Sequence, residues 1–223
     1  LVAQMLANYP VNDRSKEVLV DSYVRSILTS LPAKAVLVVQ EPVGFNTDTL
    51  VFNFAYLQYV EGIRTDVTIF TNGPVFPLAR LGLRLPAGYE HLEPTLQSTV
   101  LVHLAWDHFT PLGRPIYTSS PVDYLLGKGF RSYSNGLVFE LRTNSDSRVI
   151  PKKYFELPHL TSGLMNDISL RTFGVKVAYA QAAYSADQGQ LRLERVAILW
   201  AITVDPEPFS TEYQTYLNHR AWV

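Results

Sequence analysis

The chain predicts an α/β fold, a Rossmann-like parallel sheet with a possible mixed edge and helices on both faces, followed by a C-terminal helical hairpin resembling a tetratricopeptide repeat. Three observations carry this expectation. Short, uniformly apolar runs alternate with stretches of helical period through the first 150 residues. Strand, helix and strand follow one another within about 35 residues, the size of a βαβ unit, which closes with parallel strands and a right-handed crossover. Beyond Pro151 the strand signals fade and helical spacing takes over.

The first helix is predicted over residues 15–31, where Leu19, Tyr23, Ile27 and Leu31 recur every four residues and Asp13 or Ser15 can cap the start. Pro32 breaks that rhythm, and the apolar run 35–40 reads as a short strand buried on both faces. Leu50, Val51, Phe54, Leu57 and Val60 return to helical spacing, with Gly62 just past the helix end. Residues 66–70 form the next strand, 98–104 a third and 115–118 a fourth. Ser120-Pro121-Val122-Asp123 matches a capped helix start, and the short helix stops near Gly127 or Gly129. Asn135-Gly136 marks a turn leading into an edge strand within 133–142. Helices follow over 164–184 and 190–204, with another from Phe209. Gly189 sits at the bend, Ala201 late in the second helix and Asp205-Pro206 at its end. Glu194 departs from a tetratricopeptide pattern, which prefers a small residue there, and a plain helical hairpin fits equally well.

The length of 223 residues suits one α/β domain, 1–150, with a helical region, 151–223, packed on or beside it. Hydrophobic residues at 47% and charged residues at 17% place the chain among globular proteins and argue against disorder. A net charge of -1 supplies no cationic field for phosphates, which argues against nucleic acid as a partner. The absence of cysteine excludes disulfides and thiol chemistry but leaves the compartment open. Apolar runs such as 35–39 and 99–105 fall short of the roughly 20 residues of a membrane helix. The chain starts at Leu1 without a signal pattern and reads as a piece cut or processed from something larger.

Loops leaving the carboxyl ends of parallel strands line a common crevice. The candidate crevice residues are therefore Glu41, Asn46 and Asp48 after the first strand, His103, Asp107 and His108 around the end of the third, and Tyr117, Thr118 and Ser119 at the fourth. Solvated loop residues and helix caps would look the same. The 41–48 loop holds one glycine and two acids, so the usual dinucleotide fingerprint is missing, as are the Walker loop and the nucleophile elbow. No cofactor is expected. The spacing of His103, Asp107 and His108 matches no recognised metal-ligand pattern, and paired acids for glycosidic hydrolysis depend on a separation that sequence does not give. No catalytic residue is assigned, and a complete active site is not expected.

The stretch Leu31 to Leu37, the run Tyr56 to Val67 with Gln58, Glu61, Gly62, Arg64 and Asp66, the segment Gly113-Arg114-Pro115-Ile116-Tyr117, and Asn135-Gly136-Leu137 resemble, in order, the extracytoplasmic C-terminal part of a family of multi-span membrane proteins. These are glycosyltransferase-C-like proteins that include a transmembrane protein O-mannosyltransferase. Two departures stand out: the family's acidic, asparagine-containing loop survives only as Asn46, Thr47, Asp48 and Thr49, and Thr65 replaces a proline. The resemblance covers about residues 10 to 142. It implies a non-catalytic domain on the extracytoplasmic side of a membrane, whose partner is the membrane-spanning part of the same polypeptide and which assists presentation of a lipid-linked sugar donor or of a glycan or protein acceptor. Physically, the Gln58 to Asp66 run reads as scaffold, with Gly62 ending the helix, Arg64 reaching back to helix carbonyls or Glu61, and Asp66 starting the strand. Two other functions stay open, a free-standing protein-binding scaffold using the C-terminal helices and a carbohydrate- or phosphate-ester-processing enzyme using the crevice.

Overall fold

The computed structural model describes residues 19–39, 47–71, 75–119, 130–135, 137–143, 157 and 168–204. The chain divides into two compact units, Val24–Lys153 and a second formed by Leu1–Tyr23 with Tyr154–Val223.

Helix α1 (Leu19–Ser30) buries Leu19, Tyr23, Ile27 and the following Leu31, the stripe its four-residue rhythm dictates. Strand β1 (Val36–Val38) is buried at all three positions, as a strand covered on both faces must be. Helix α2 (Thr47–Ala55) runs on into a π-helical turn, Tyr56–Val60. There the Glu61 N–H donates to the Tyr56 carbonyl at 3.2 Å and the Ile63 N–H to that of Leu57 at 2.8 Å. Gly62, at φ +68°, then turns the chain toward β2 (Thr68–Phe70).

Between β2 and the next strand the described chain forms two short 3₁₀ turns, Leu78–Leu81 and Tyr89–His91, then helix α3 (Pro94–Phe109) and a third 3₁₀ turn, Thr110–Leu112. This corrects the strand expected over 98–104. That segment is rich in β-branched residues, but β2 and β3 (Ile116–Thr118) lie parallel in one sheet, and parallel strands need a long crossover. Pro94 opens α3 at its first turn, and Leu101, Val102, Ala105 and Phe109 form one buried helical face. Tertiary demand overrides the local β preference.

The sheet is mixed, in the order β2-β1-β3-β5-β4. Strand β1 pairs in parallel with both β2 and β3, placing Leu37 opposite Ile69 on one side and Tyr117 on the other. Strands β4 (Phe130–Ser134) and β5 (Phe139–Thr143) form an antiparallel hairpin, and β5 pairs antiparallel with β3. The strand after the turn is thus internal and β4 is the edge, the reverse of the expected assignment. Asn135 sets the turn: its N–H donates to the Val138 carbonyl at 2.9 Å, while its Oδ1 accepts from the N–H groups of Leu137 and Val138 at 3.0 and 2.9 Å. The helix expected after Ser120 lies outside the described residues.

One face of the sheet presents Val36, Val38, Phe70, Ile116 and Leu141, which form a core with Leu101, Val102, Ala105 and Phe109 of α3 and with Leu78. Phe70 and Phe109 meet edge to face at 5.7 Å, a geometry worth about 1 kcal/mol beyond area burial.

In the other unit, α4 (Ile168–Asp187) and α5 (Leu191–Val204) form an antiparallel hairpin. Gly189, at φ +67°, donates to the Ala186 carbonyl at 2.9 Å, and the Gln190 N–H donates to that of Ser185 at 2.8 Å. This pair of bonds is a Schellman cap, which needs the left-handed residue that glycine supplies. Ala178, Ala182, Ala197 and Ala201 are fully buried, which lets the two helices approach closely. The expected bend is in place; the first helix ends at Asp187 in place of 184 and the second begins at Leu191 in place of 190, while residues 164–167 lie outside the described residues. Asp205, Pro206 and the helix expected from Phe209 lie outside the described residues.

Candidate functional site

The order β2-β1-β3 reverses the direction of strand addition at β1, so the carboxyl ends of β1 and β3 mark the topological switch point of the parallel part. The described residues there are Val39, whose N–H donates to the Phe70 carbonyl at 2.9 Å, Thr118, and Ser119, whose N–H donates to the Val38 carbonyl at 3.0 Å. Thr118 is fully buried and its hydroxyl donates to the Phe139 carbonyl at 3.4 Å. Of the expected crevice residues, Glu41 and Asn46 lie outside the described residues, and Asp48 belongs to the first turn of α2.

Among the described residues, the expected crevice side chains of α3 and β3 are not gathered at one edge. Tyr117 is buried within β3, on the face opposite α3, and does not line an open edge. His103, Asp107 and His108 ride on α3, which ends only a few residues before β3 begins. Asp107 and His108 therefore lie toward the amino ends of the strands, at the opposite edge from the switch point. The displacement follows from one misassigned element: read as a strand, residues 98–104 deliver those side chains to the carboxyl edge, whereas the returning helix brings them to the other. Among the described residues, no three His, Asp or Glu side chains come together as ligands for a metal.

The amino edge carries the densest polar network. The Arg64 guanidinium donates to the Leu28 and Leu31 carbonyls at 2.6 and 2.7 Å and to the Pro32 carbonyl at 2.8 Å, which satisfies the orphan carbonyls at the end of α1. It also donates to both oxygens of Asp66, at 2.8 and 3.0 Å. Asp66 in turn accepts from the Lys34 N–H at 2.9 Å. The guanidinium of Arg64, and after it the Lys34 amide, hold the Asp66 carboxyl well below the usual carboxylate range. Lys34 and Arg64 both take left-handed backbone conformations, at φ +59° and +50°. Buried Gln58 donates to the Arg64 and Val67 carbonyls at 2.9 and 2.8 Å. Glu61 accepts from Arg25 of α1 at 2.7 Å, so it is Arg25, and not Arg64, that takes this carboxylate. Arg64 caps α1, while Gln58 holds the loop that follows its own helix.

Arg114 completes the edge. It donates to the Lys34 and Ala35 carbonyls at 2.7 and 3.2 Å and to the Thr68 hydroxyl at 2.7 Å, while its guanidinium stacks 5.0 Å from the Phe109 ring centre. Burial is the main influence on its pKa and pulls it down, partly offset by the Asp66 charge. Gln58, Glu61, Arg64, Asp66 and Arg114 thus tie α1 and the starts of β1, β2 and β3 together, with Gly62 supplying the turn between α2 and β2.

A third polar group escaped the sequence reading. Arg142 donates to Glu140 at 2.7 Å with both side chains almost wholly buried, and its guanidinium lies 5.8 Å from the Tyr133 ring centre. Register places Tyr117, Glu140 and Tyr133 in one row across β3, β5 and β4. Two opposite charges at i and i+2 share one strand face, so Glu140-Leu141-Arg142 was the signal available in the sequence.

No protein-family model, curated protein or solved structure matches the chain.

Proposed function

We propose that this chain is a non-catalytic domain on the extracytoplasmic side of a membrane glycosyltransferase-like protein, where it helps present a lipid-linked donor or an acceptor to the membrane-spanning part of the same polypeptide. The observation that carries this reading is the amino-edge network. The residues on which the family resemblance rests, Gln58, Glu61, Arg64, Asp66 and Arg114, direct their hydrogen bonds to backbone carbonyls and to partners within the fold. A motif used in this way marks architecture, which suits a domain that positions and does not react.

The finer Rossmann-like reading of the sheet draws support from the parallel β2-β1-β3 order with helical crossovers. The tetratricopeptide-like reading of the hairpin draws support from the Gly189 bend and the buried alanines, while buried Glu194 counts against it. A protein-binding role for that hairpin is a second reading, favoured by Leu191, Val196, Leu199 and Ile202, which expose an apolar face of α5.

Two measurements test the main proposal. The reading frame ahead of Leu1 is expected to encode several membrane spans, and a frame without them overturns it. Transfer from a polyprenyl-phosphate sugar is expected in membranes containing the full-length protein and absent with the isolated chain. Turnover by the isolated chain at the full-length rate would assign the chemistry to this domain.

A further inference from the structure

Phe52, Tyr56, Tyr59 and Val60 are each more than half exposed, at 58, 51, 56 and 69%. All four face solvent along α2 and its π-helical turn, with Phe52 and Tyr56 one α-helical turn apart. Several large exposed rings on one element are unusual on a surface that faces only water. At one end, the Arg80 guanidinium donates to the Tyr59 hydroxyl at 3.1 Å and lies 5.9 Å from that ring's centre, while Phe76 packs against Tyr59 at 5.5 Å. Exposed Arg80 has no carboxylate partner among the described residues.

The geometry points to this face as a docking surface for an anionic lipid bilayer. Apolar ring bodies with phenolic tips suit the depth between acyl chains and headgroups. An arginine without a carboxylate, fixed beside them by Tyr59, supplies the complementary charge for a headgroup phosphate. With its ring flanked by Phe76 and Arg80, Tyr59 acts as the clamp for that cation, and Phe52, Tyr56 and Val60 supply the inserting surface. The inference deepens the membrane-side reading and rests on it for the bilayer at hand.

Cosedimentation of the isolated chain with vesicles tests it. Binding is expected to mixed phosphatidylcholine and phosphatidylglycerol vesicles and to be much weaker to phosphatidylcholine alone. Arg80→Gln is expected to lower the affinity about fivefold, the value of one arginine near an anionic surface. Phe52→Ser with Tyr56→Ser is expected to lower it at least about tenfold through lost apolar burial. These exposed positions leave the core untouched, so circular dichroism and thermal unfolding of both variants should match the parent. Equal binding to the two vesicle types, or unchanged binding by the double variant, overturns the inference. So does a chain that ignores vesicles and self-associates through the same residues, which would make the face a protein interface. A null vesicle result leaves the presentation reading standing, and a reading frame without membrane spans leaves the vesicle result standing.

Discussion

The guanidinium of Arg64 meets the carboxylate of Asp66 through two hydrogen bonds, and the same guanidinium caps the last carbonyls of α1. One side chain therefore anchors a helix end to the start of β2, while Asp66 extends the link to Lys34 just before β1. Four predictions follow from this and from the other buried polar and close-packed positions.

Arg64→Ala is expected to cost about 2 to 4 kcal/mol, because it removes charge-assisted bonds and strands helix-end carbonyls. Arg64→Gly loses the same bonds but relieves the left-handed backbone, so it should be about 1 kcal/mol less damaging than alanine. Urea unfolding of the two variants measures both effects. Equal stabilities would remove the backbone contribution, and parent-like stabilities would remove the cap.

Asp66 makes part of the stability depend on pH. Its folded carboxyl titrates below the ordinary value, so its contribution is complete above the unfolded pKa of about 4 and is lost as pH falls from there toward the folded value. The stability difference between the parent and Asp66→Asn should accordingly shrink as pH is lowered below about 4. A difference that stays constant through that range in urea melts would show that the carboxylate charge is not what Arg64 and Lys34 hold.

Glu140 and Arg142 form a buried pair whose partners depend on each other. Glu140→Leu or Arg142→Met alone should cost about 3 to 5 kcal/mol by leaving one buried charge uncompensated, and the double variant should lie near the parent. A double-mutant cycle reads the coupling directly. Additive losses would mean that each residue acts through other contacts.

Gly174 lies within α4, where alanine ordinarily stabilises a helix by up to about 1 kcal/mol. A Cβ there would come within 2.6 Å of the Trp200 ring and 3.3 Å of Leu19. Gly174→Ala should therefore destabilise, by about 1 to 3 kcal/mol, and Trp200→Phe should recover part of the loss. Thermal unfolding of the single and double variants decides the sign.

Much of the fold was legible in local pattern. The stripe from Leu19 to Leu31, the buried run at 36–38, the helix closed by Gly62 and the hairpin bend at Gly189 each follow from periodicity or from a glycine where the backbone turns left-handed. That Arg64 reaches helix carbonyls was also readable, though not that they belong to α1 or that Glu61 pairs with Arg25. Arg64 reaches carbonyls 33 and 36 residues away and Arg114 one 80 residues away, distances over which sequence carries no geometric information.

What the sequence determined by itself, then, is the alternation of elements and the composition of their buried faces, because helical and strand periods are properties of the local chain. Tertiary structure decided three things. It made 94–109 a crossover helix, since parallel β2 and β3 need one despite the β-branched residues. It carried Asp107 and His108, at the end of that helix, toward the amino edge and away from the carboxyl edge where a strand would have left them. It also buried Glu140 against Arg142, because the order of strands, which no local pattern encodes, placed β5 inside the sheet and β4 at its edge.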